Sequence, residues 1–223
     1  PPMGYFSAAI KSSIPDIFTS TNGARSFPSG QPGVAALAAP SGSVVRWSTD
    51  STSVVINGGE VPRGKTVIVH APNATVSIQG NITYHPGPYG NLSDLPQMAI
   101  IAKDIVLNQW NNQPASNHVE RVDAWLIASN YVSTCNVVAN QGQWLGGISL
   151  SGASACDKQL RVNGPMVADH LYLRRTAGSD KDTQAMPAEV LNLRPDTYMW
   201  ASARSRGSSS IQTMYLRELP PRF

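Results

Sequence analysis

The chain has 223 residues, of which 41% are hydrophobic and only 14% are charged, and its formal net charge is +3 at pH 7. That length suits one domain, or one domain with an arm, and so small a positive excess argues against a nucleic-acid-binding surface. The polar but weakly charged composition is typical of secreted β proteins, so we expect an extracellular location. No apolar run approaches the ~18 residues that a membrane span needs, so no direct membrane insertion is predicted.

Residues 1–42 are rich in Gly and Pro and carry only short apolar groups. The segment GVAALAAP, residues 33–40, is too short and too closely bounded by Gly and Pro to predict a stable helix. The sequence therefore predicts an extended arm or linker over residues 1–42. An extended segment of this kind is suited to adding a strand to a neighbouring molecule.

From Ser43 onward the sequence consists of short segments rich in Val and Ile and bounded by Gly, Pro and Asn. Such segments predict β-strands, and no window shows a helical stripe longer than two turns. The predicted strands are Val44–Trp47, Ser53–Ile56, Thr66–Val69, Thr75–Ile78, Asn81–Tyr84, Met98–Ala102, Ile105–Leu107, Val122–Ala128, Leu160–Val162, Met166–Ala168 and His170–Arg174.

Several of these strands end in the same phrase, an apolar-x-apolar pattern followed by Asn or Gln. The phrase ends at Asn57, Gln79, Asn108 and Asn163, and a hidden copy is expected near VERVDAWLIA. A loose period in the twenties predicts one coil of a β-solenoid per repeat, with Asn or Gly at the corners. We therefore predict an all-β fold with a parallel β-helix over residues 43–175. A β-sandwich remains the alternative, because many short strands also suit that fold.

Residues 176–223 form the predicted C-terminal cap. Within them, PAEVLNLRPDTYMWASARS mixes helical and strand signals, and IQTMYLREL predicts a last strand. A solenoid has an open edge at each end, which a cap covers or which pairs with another molecule. The arginines concentrated here are interpreted as a solvated face or as a contact for an acidic polymer; they are Arg194, Arg204, Arg206, Arg217 and Arg222.

The only two cysteines, Cys135 and Cys156, enclose a segment rich in Gly and Ser. In an oxidising compartment, a disulfide between them would stabilise the fold by about 3 kcal/mol in the chain-entropy model. The alternative is two buried thiols. The sequence has no Cys-x-x-Cys and no Cys–His pair at zinc-ligand spacing, so neither a metal nor another cofactor is predicted.

Three aspartates occupy similar local settings: Asp104 in KDI, Asp123 in VDA and Asp169 in ADH. On stacked strands they would form a carboxylate group, and two carboxylates about 5 to 9 Å apart perform acid–base chemistry on glycosidic bonds. The simpler interpretation is that each Asp caps a turn or pairs with an arginine such as Arg121 or Arg174. The common catalytic motifs are absent from the sequence, so the chain is predicted not to be an enzyme.

Two tryptophans lie in polar loops, Trp110 in NQWNNQ and Trp144 in GQWLGG. Exposed loop tryptophans indicate contact with a protein or a glycan. Together with the arginine-rich tail they give the candidate binding residues Trp110, Trp144, Arg204 and Arg206.

A family resemblance rests on six segments in a fixed order: LPQMAIIAKDIVLN, VERVDAWLIA, STC, LRVNGPMVADHLYLRRTAGS, PAEVLNLRPDTYMWASARS and the ending YLRELPPRF. They resemble the C-terminal region of large surface proteins of Saccharibacteria, ultrasmall bacteria that live attached to a host. The resemblance covers residues 53–223. It implies a secreted β-helical module at a cell surface, and it implies no particular chemistry.

The sequence as a whole predicts an extracellular structural subunit that binds copies of itself and assembles into a cell-surface filament, coat or layer. The alternative is an adhesin or glycan-binding module that contacts a host surface or a glycan. A polysaccharide-acting enzyme that uses the three aspartates is the third hypothesis, and no nucleic-acid partner is predicted.

Overall fold

The computed structural model describes residues 16–108, 119–135, 158–175 and 187–204. Within these ranges the chain is mostly β-structure. The helices are α1 (Asp16–Thr19), α2 (Val34–Ala38) and α3 (Pro195–Arg204), with a 3-10 turn at Leu92–Asp94. The strands are β1 (Arg25–Ser26), β2 (Val44–Ser48), β3 (Ser53–Val61), β4 (Thr66–Tyr84), β5 (Gln97–Leu107), β6 (Arg121–Val122), β7 (Trp125–Ser133), β8 (Leu160–Asn163), β9 (Met166–Val167), β10 (His170–Tyr172) and β11 (Glu189–Asn192).

These eleven strands form one curled sheet, and every pairing among the described strands is parallel. Register partners lie about 22 to 40 positions apart in sequence, which is the length of one turn of chain in a repeating β architecture. The predicted all-β fold is therefore confirmed.

The core lies on the inner side of the curled sheet and is built from rungs of aligned apolar side chains. One rung runs from Val54 through Val76 and Ile105 to Val132 and Leu171. Its first four side chains are buried, whereas Leu171 on the last strand is 45% exposed. Burying each Val, Ile or Leu stabilises the fold by about 1.5–3 kcal/mol, so the rungs hold the sheet together until its final strands.

The longest strand, β4, joins three segments that were predicted as separate strands. It bends where the register shifts between Ala71 and Thr75, and again at Gly80, whose φ of 141° suits only glycine. β4 pairs with β2 and β3 on one side and with β5 and β6 on the other. It is therefore the central strand of the sheet.

The repeated phrases stack in two separate columns. Asn57 pairs with Gln79, and Asn108 directly follows the partner of Ile78, so these three phrase ends lie above one another. Asn163 belongs to a second column, because it pairs with Asn192 and follows the partner of Val122. The four phrases therefore do not share one column, and Val122, in the segment VERVDAWLIA, stacks between Ile82 and Val162.

The described part of the predicted arm, residues 16–42, packs against the sheet. α2 forms where no helix was predicted, with Val34 and Leu37 fully buried. The Trp47 Nε1–H donates a hydrogen bond of 2.9 Å to the Leu37 carbonyl. Phe18 stacks on Trp200 at 5.3 Å between ring centroids. Burial against the sheet compensates for the low helix propensity of so short a segment.

The mixed signals after residue 187 correspond to one strand followed by one helix. β11 pairs in register with β8, and α3 begins at Pro195, a residue that favours the first helical position. The predicted last strand, residues 211–219, lies outside the described residues.

Candidate functional site

A cleft of about 340 Å³ opens where β4 ends and β6 begins. Tyr84 at the end of β4 lies at its base, and the following loop supplies His85 and Tyr89 as one wall. Arg121 of β6 and Arg194, which lies just after β11, supply the other wall. Side chains from three distant parts of the chain therefore meet at one place.

Asp123 pairs with Arg121 and Arg194 of the cleft wall and has no exposed surface. The Arg121 guanidinium donates a hydrogen bond to each carboxylate oxygen, from Nε to Oδ1 at 2.9 Å and from Nη2 to Oδ2 at 2.7 Å. The Asn163 amide donates to Oδ1 at 2.6 Å, the Tyr84 backbone N–H donates to Oδ2 at 3.1 Å, and Arg194 Nη1 lies 3.5 Å from Oδ2. Asp123 accepts hydrogen bonds on both oxygens, and it joins three strands and the segment after β11.

Arg194 forms the upper part of the cleft. Its Nε and Nη2 donate to the two oxygens of Asp196 at 2.9 and 2.7 Å, and its guanidinium lies over the Tyr84 ring at 5.2 Å. Burial lowers the pKa of Arg194, but the bonds to Asp196 and the charge of Asp123 outweigh it and raise the pKa above its ordinary value. Hydrogen bonding to Asp123 raises the pKa of Arg121 in the same way. Both arginines are therefore permanent cations.

Tyr84 closes the base of the cleft. Burial raises the pKa of its phenol far above the ordinary value, so the side chain stays neutral. The phenol oxygen accepts a hydrogen bond of 3.0 Å from the Met98 backbone N–H and lies 3.5 Å from Gln97 Oε1. These contacts fix the ring beneath Arg194, so the base of the cleft is formed before any ligand binds.

The loop wall is held by three contacts. The His85 Nδ1 and Glu60 Oε1 atoms lie 2.8 Å apart, and the Tyr89 hydroxyl donates to the His85 carbonyl. Farther along, Asp94 pairs with Arg63 at 2.5 Å, and this bond lowers the pKa of Asp94. The loop is therefore attached to β3 and to the β3–β4 connection, and it presents Tyr89 to the cleft.

A second surface feature lies at the last strands. Within the described residues, six of the seven exposed large hydrophobic side chains fall between positions 171 and 199; they are Leu171, Leu173, Leu191, Leu193, Tyr198 and Met199. Leu173 and Leu193 are 56% and 61% exposed. We call this surface, formed by β10, β11 and the start of α3, the apolar edge. Such a concentration of exposed apolar side chains is typical of interaction sites.

The three aspartates of the enzyme hypothesis do not share one rung. Asp104 is aligned with Thr75 and Tyr131 and accepts hydrogen bonds from Thr75 Oγ1 at 3.1 Å and from the Asn130 amide at 2.7 Å. Asp123 belongs to a different column, and Asp169 is exposed just before β10. The pairing of Asp123 with Arg121, which the sequence suggested as the simpler interpretation, is confirmed.

Most of the predicted binding residues fall where the chain is not described. Trp110, Trp144, Arg206 and Cys156 lie outside the described residues, and Arg204 ends α3 with its side chain outside them. Cys135 is buried just after β7, and its pairing with Cys156 stays a prediction. In the described ranges no group of three His, Cys, Asp or Glu side chains is placed to hold a metal ion, and no helix there is long and apolar enough to span a membrane.

Sequence reasoning missed Tyr84 and Arg194 as partners of Asp123, and it missed Tyr89 as part of the cleft wall. A signal was present, because Arg121-Val122-Asp123 and Arg194-Pro195-Asp196 repeat an Arg-x-Asp pattern. In both copies the arginine binds the aspartate two positions later through two nitrogens.

No protein-family model, curated protein or solved structure matches this chain. The cleft and the apolar edge therefore carry the functional argument, and the resemblance to Saccharibacteria surface proteins stays a prediction.

Proposed function

We propose that the chain is an extracellular structural subunit that binds copies of itself in a cell-surface filament, coat or layer. The observation that carries the proposal is the apolar edge. β10 and β11 are the two end strands of the described sheet path, and their exposed leucines adjoin backbone groups that a further strand would satisfy. A second copy offers both the apolar surface and the strand that this edge lacks.

We infer that the curled sheet is the wall of a parallel β-helix. Parallel pairing throughout the described strands, with partners one turn of chain apart, suits coil-on-coil stacking. A β-sandwich is built from antiparallel sheets and suits these pairings less well. In a β-helix the two ends are natural contact surfaces between copies.

The two ends of the described sheet differ, and this difference bears on the geometry of association. At the first strands, α2 covers the end of the core with Val34 and Leu37, and Gly33 bridges to Asn57. At the last strands the apolar edge is exposed. We therefore expect the edge of one copy to meet the edge of another in a two-fold dimer, which is the building block of larger assemblies.

The test is association of the purified chain, measured by light scattering and analytical ultracentrifugation across concentration, with negative-stain microscopy of the products. We expect dimers or larger assemblies. The double variant Leu191→Lys, Leu193→Lys should weaken association at least about 30-fold, because two leucines lose about 2 kcal/mol of burial. Leu92→Lys is the matched control, since Leu92 is also exposed but lies in the 3-10 turn.

Two results would count against the proposal. One is a wild-type chain that stays monomeric at all concentrations. The other is an edge variant that folds, by circular dichroism, and still associates as strongly as the Leu92→Lys control.

An adhesin or glycan-binding module is the second candidate, and the cleft favours it. The cleft combines an aromatic wall at Tyr89 with the polar groups of Glu60, His85 and Arg121, a combination typical of small-ligand sites. Binding to a glycan array by a strictly monomeric protein would favour this candidate over the structural one. An enzymatic role has less support, because Asp123 is occupied by donors and Asp104 is bonded to Thr75 and Asn130.

A further inference from the structure

We propose that the cleft at Asp123 binds the carboxylate of an acidic saccharide, such as a hexuronate unit of a polysaccharide. This inference rests on the glycan-binding candidate, for which it names the ligand class and the residues. It is independent of self-association through the apolar edge.

Two arginines stacked on neighbouring strands favour an anion bound between them. Arg121 and Arg161 are register partners on β6 and β8, and both are exposed. Their neighbours Val122 and Val162 point into the core, so the two arginines project from the outer side of the sheet. Adjacent strands lie about 4.8 Å apart, and like charges at that spacing repel each other. An anion bound between them removes this repulsion.

Both arginines have guanidinium N–H groups without a partner among the described residues. Arg121 uses Nε and Nη2 on Asp123, and its Nη1 has no partner among the described residues. Within the residues that the structure describes, the Arg161 side chain forms no hydrogen bond or ion pair. A guanidinium presents its N–H groups as a planar fork that matches the two oxygens of a carboxylate. The orientation of Arg121 is fixed by Asp123, so part of the ordering cost is met before the ligand arrives.

The charges at the site favour a singly charged ligand. Arg121 and Arg194 pair with the carboxylates of Asp123 and Asp196. Arg161 is the register partner of Arg121, and the carboxylate of Glu60 lines the cleft. The three guanidinium groups and the three carboxylates balance, so the site suits a singly charged carboxylate better than a doubly charged phosphate.

The cleft beside these arginines suits a sugar ring. Its volume of about 340 Å³ lies at the small end for ligand sites. Tyr89 supplies an aromatic surface with a polar end, and Glu60 and His85 on the same wall offer hydrogen-bonding atoms to ring hydroxyls.

The experiment is isothermal titration calorimetry of the full chain with a galacturonate trimer, a neutral galactose trimer and inorganic phosphate as probes. We expect the uronate to bind at least about tenfold more tightly than the neutral sugar, and phosphate to bind more weakly than the uronate. Arg161→Gln should remove most of the uronate preference without affecting folding, because that side chain has no described partner. Arg25→Gln, an exposed arginine on β1, is the matched control.

The outcomes separate the inference from the function on which it rests. Equal binding of both trimers, unchanged by Arg161→Gln, would overturn the carboxylate assignment and leave a glycan-binding module in place. Binding of neither trimer would overturn both. Tighter binding of phosphate than of the uronate would assign the stacked arginines to a different anion and would also overturn the inference.

Discussion

Gly58→Ala tests how tightly the corners of the sheet are stacked. A Cβ at Gly58 would lie 2.5 Å from the Asn81 carbonyl oxygen and 2.7 Å from the Asn81 nitrogen. A carbon–oxygen contact needs about 3.3 Å, so the backbones of β3 and β4 would have to separate by about 0.8 Å. Overpacking of this kind costs about 1–3 kcal/mol. The cost lies at the upper end because the new Cβ would meet backbone atoms, which cannot move aside as a side chain can. Replacing glycine with alanine also stabilises the fold by about 0.4–1 kcal/mol, because it lowers the conformational entropy of the unfolded chain.

The net loss in the free energy of unfolding should be about 2 kcal/mol, which corresponds to a fall in Tm of about 4–8 °C for a chain of this size. Urea denaturation followed by circular dichroism measures the first quantity, and a thermal scan measures the second. Gly90→Ala is the control, because its Cβ would make only an ordinary contact of 3.8 Å with Asp94 Oδ2. If Gly58→Ala proves as stable as Gly90→Ala, the corner is not close-packed and the reasoning fails.

Two further predictions concern Asp123 and Cys135. Asp123→Asn should lower the free energy of unfolding by about 2–3 kcal/mol in urea denaturation, since an amide nitrogen would face donors from Arg121 or Asn163; a loss below about 0.5 kcal/mol would show that the carboxylate does not hold the strands together. For Cys135 we predict a disulfide with Cys156. Alkylation of the unfolded, unreduced protein should therefore add no label, as measured by intact-mass analysis. The addition of two labels would exclude the disulfide.

The strand content of this fold could be predicted from sequence because its rungs are continuous in apolar character. Val54, Val76 and Ile105 each lie in a Val- and Ile-rich segment, and such segments predict strands wherever they occur. The arrangement of columns was less accessible. Asn163 and Asn108 carry the same sequence phrase, yet they lie in different columns. Asn108 follows the partner of Ile78, whereas Asn163 follows the partner of Val122, which pairs with Ile82 beyond Gly80.

The cleft was harder to predict than the sheet. Asp123 and its nearest arginine are two residues apart and were identified together, since neighbours in a strand at that spacing share a face. Arg194 reaches the same carboxylate from 71 positions away, and only the register of β8 and β11 above β6 brings it there. Local pattern carries no information on such a contact, although the repeated Arg-x-Asp pattern marks both ends of it.

The order of strands along the sheet has a consequence for how the chain folds while it is being made. β4 is placed on β2 and β3, β5 on β4, β7 on β5, and β10 on β7, so each of these strands pairs with one that precedes it in the sequence. A segment leaving the ribosome therefore meets a template that has already emerged. Each added strand also buries apolar side chains against that template. Stacking in this order lets the sheet grow as the chain emerges, and the last described strands to join it are those that form the apolar edge.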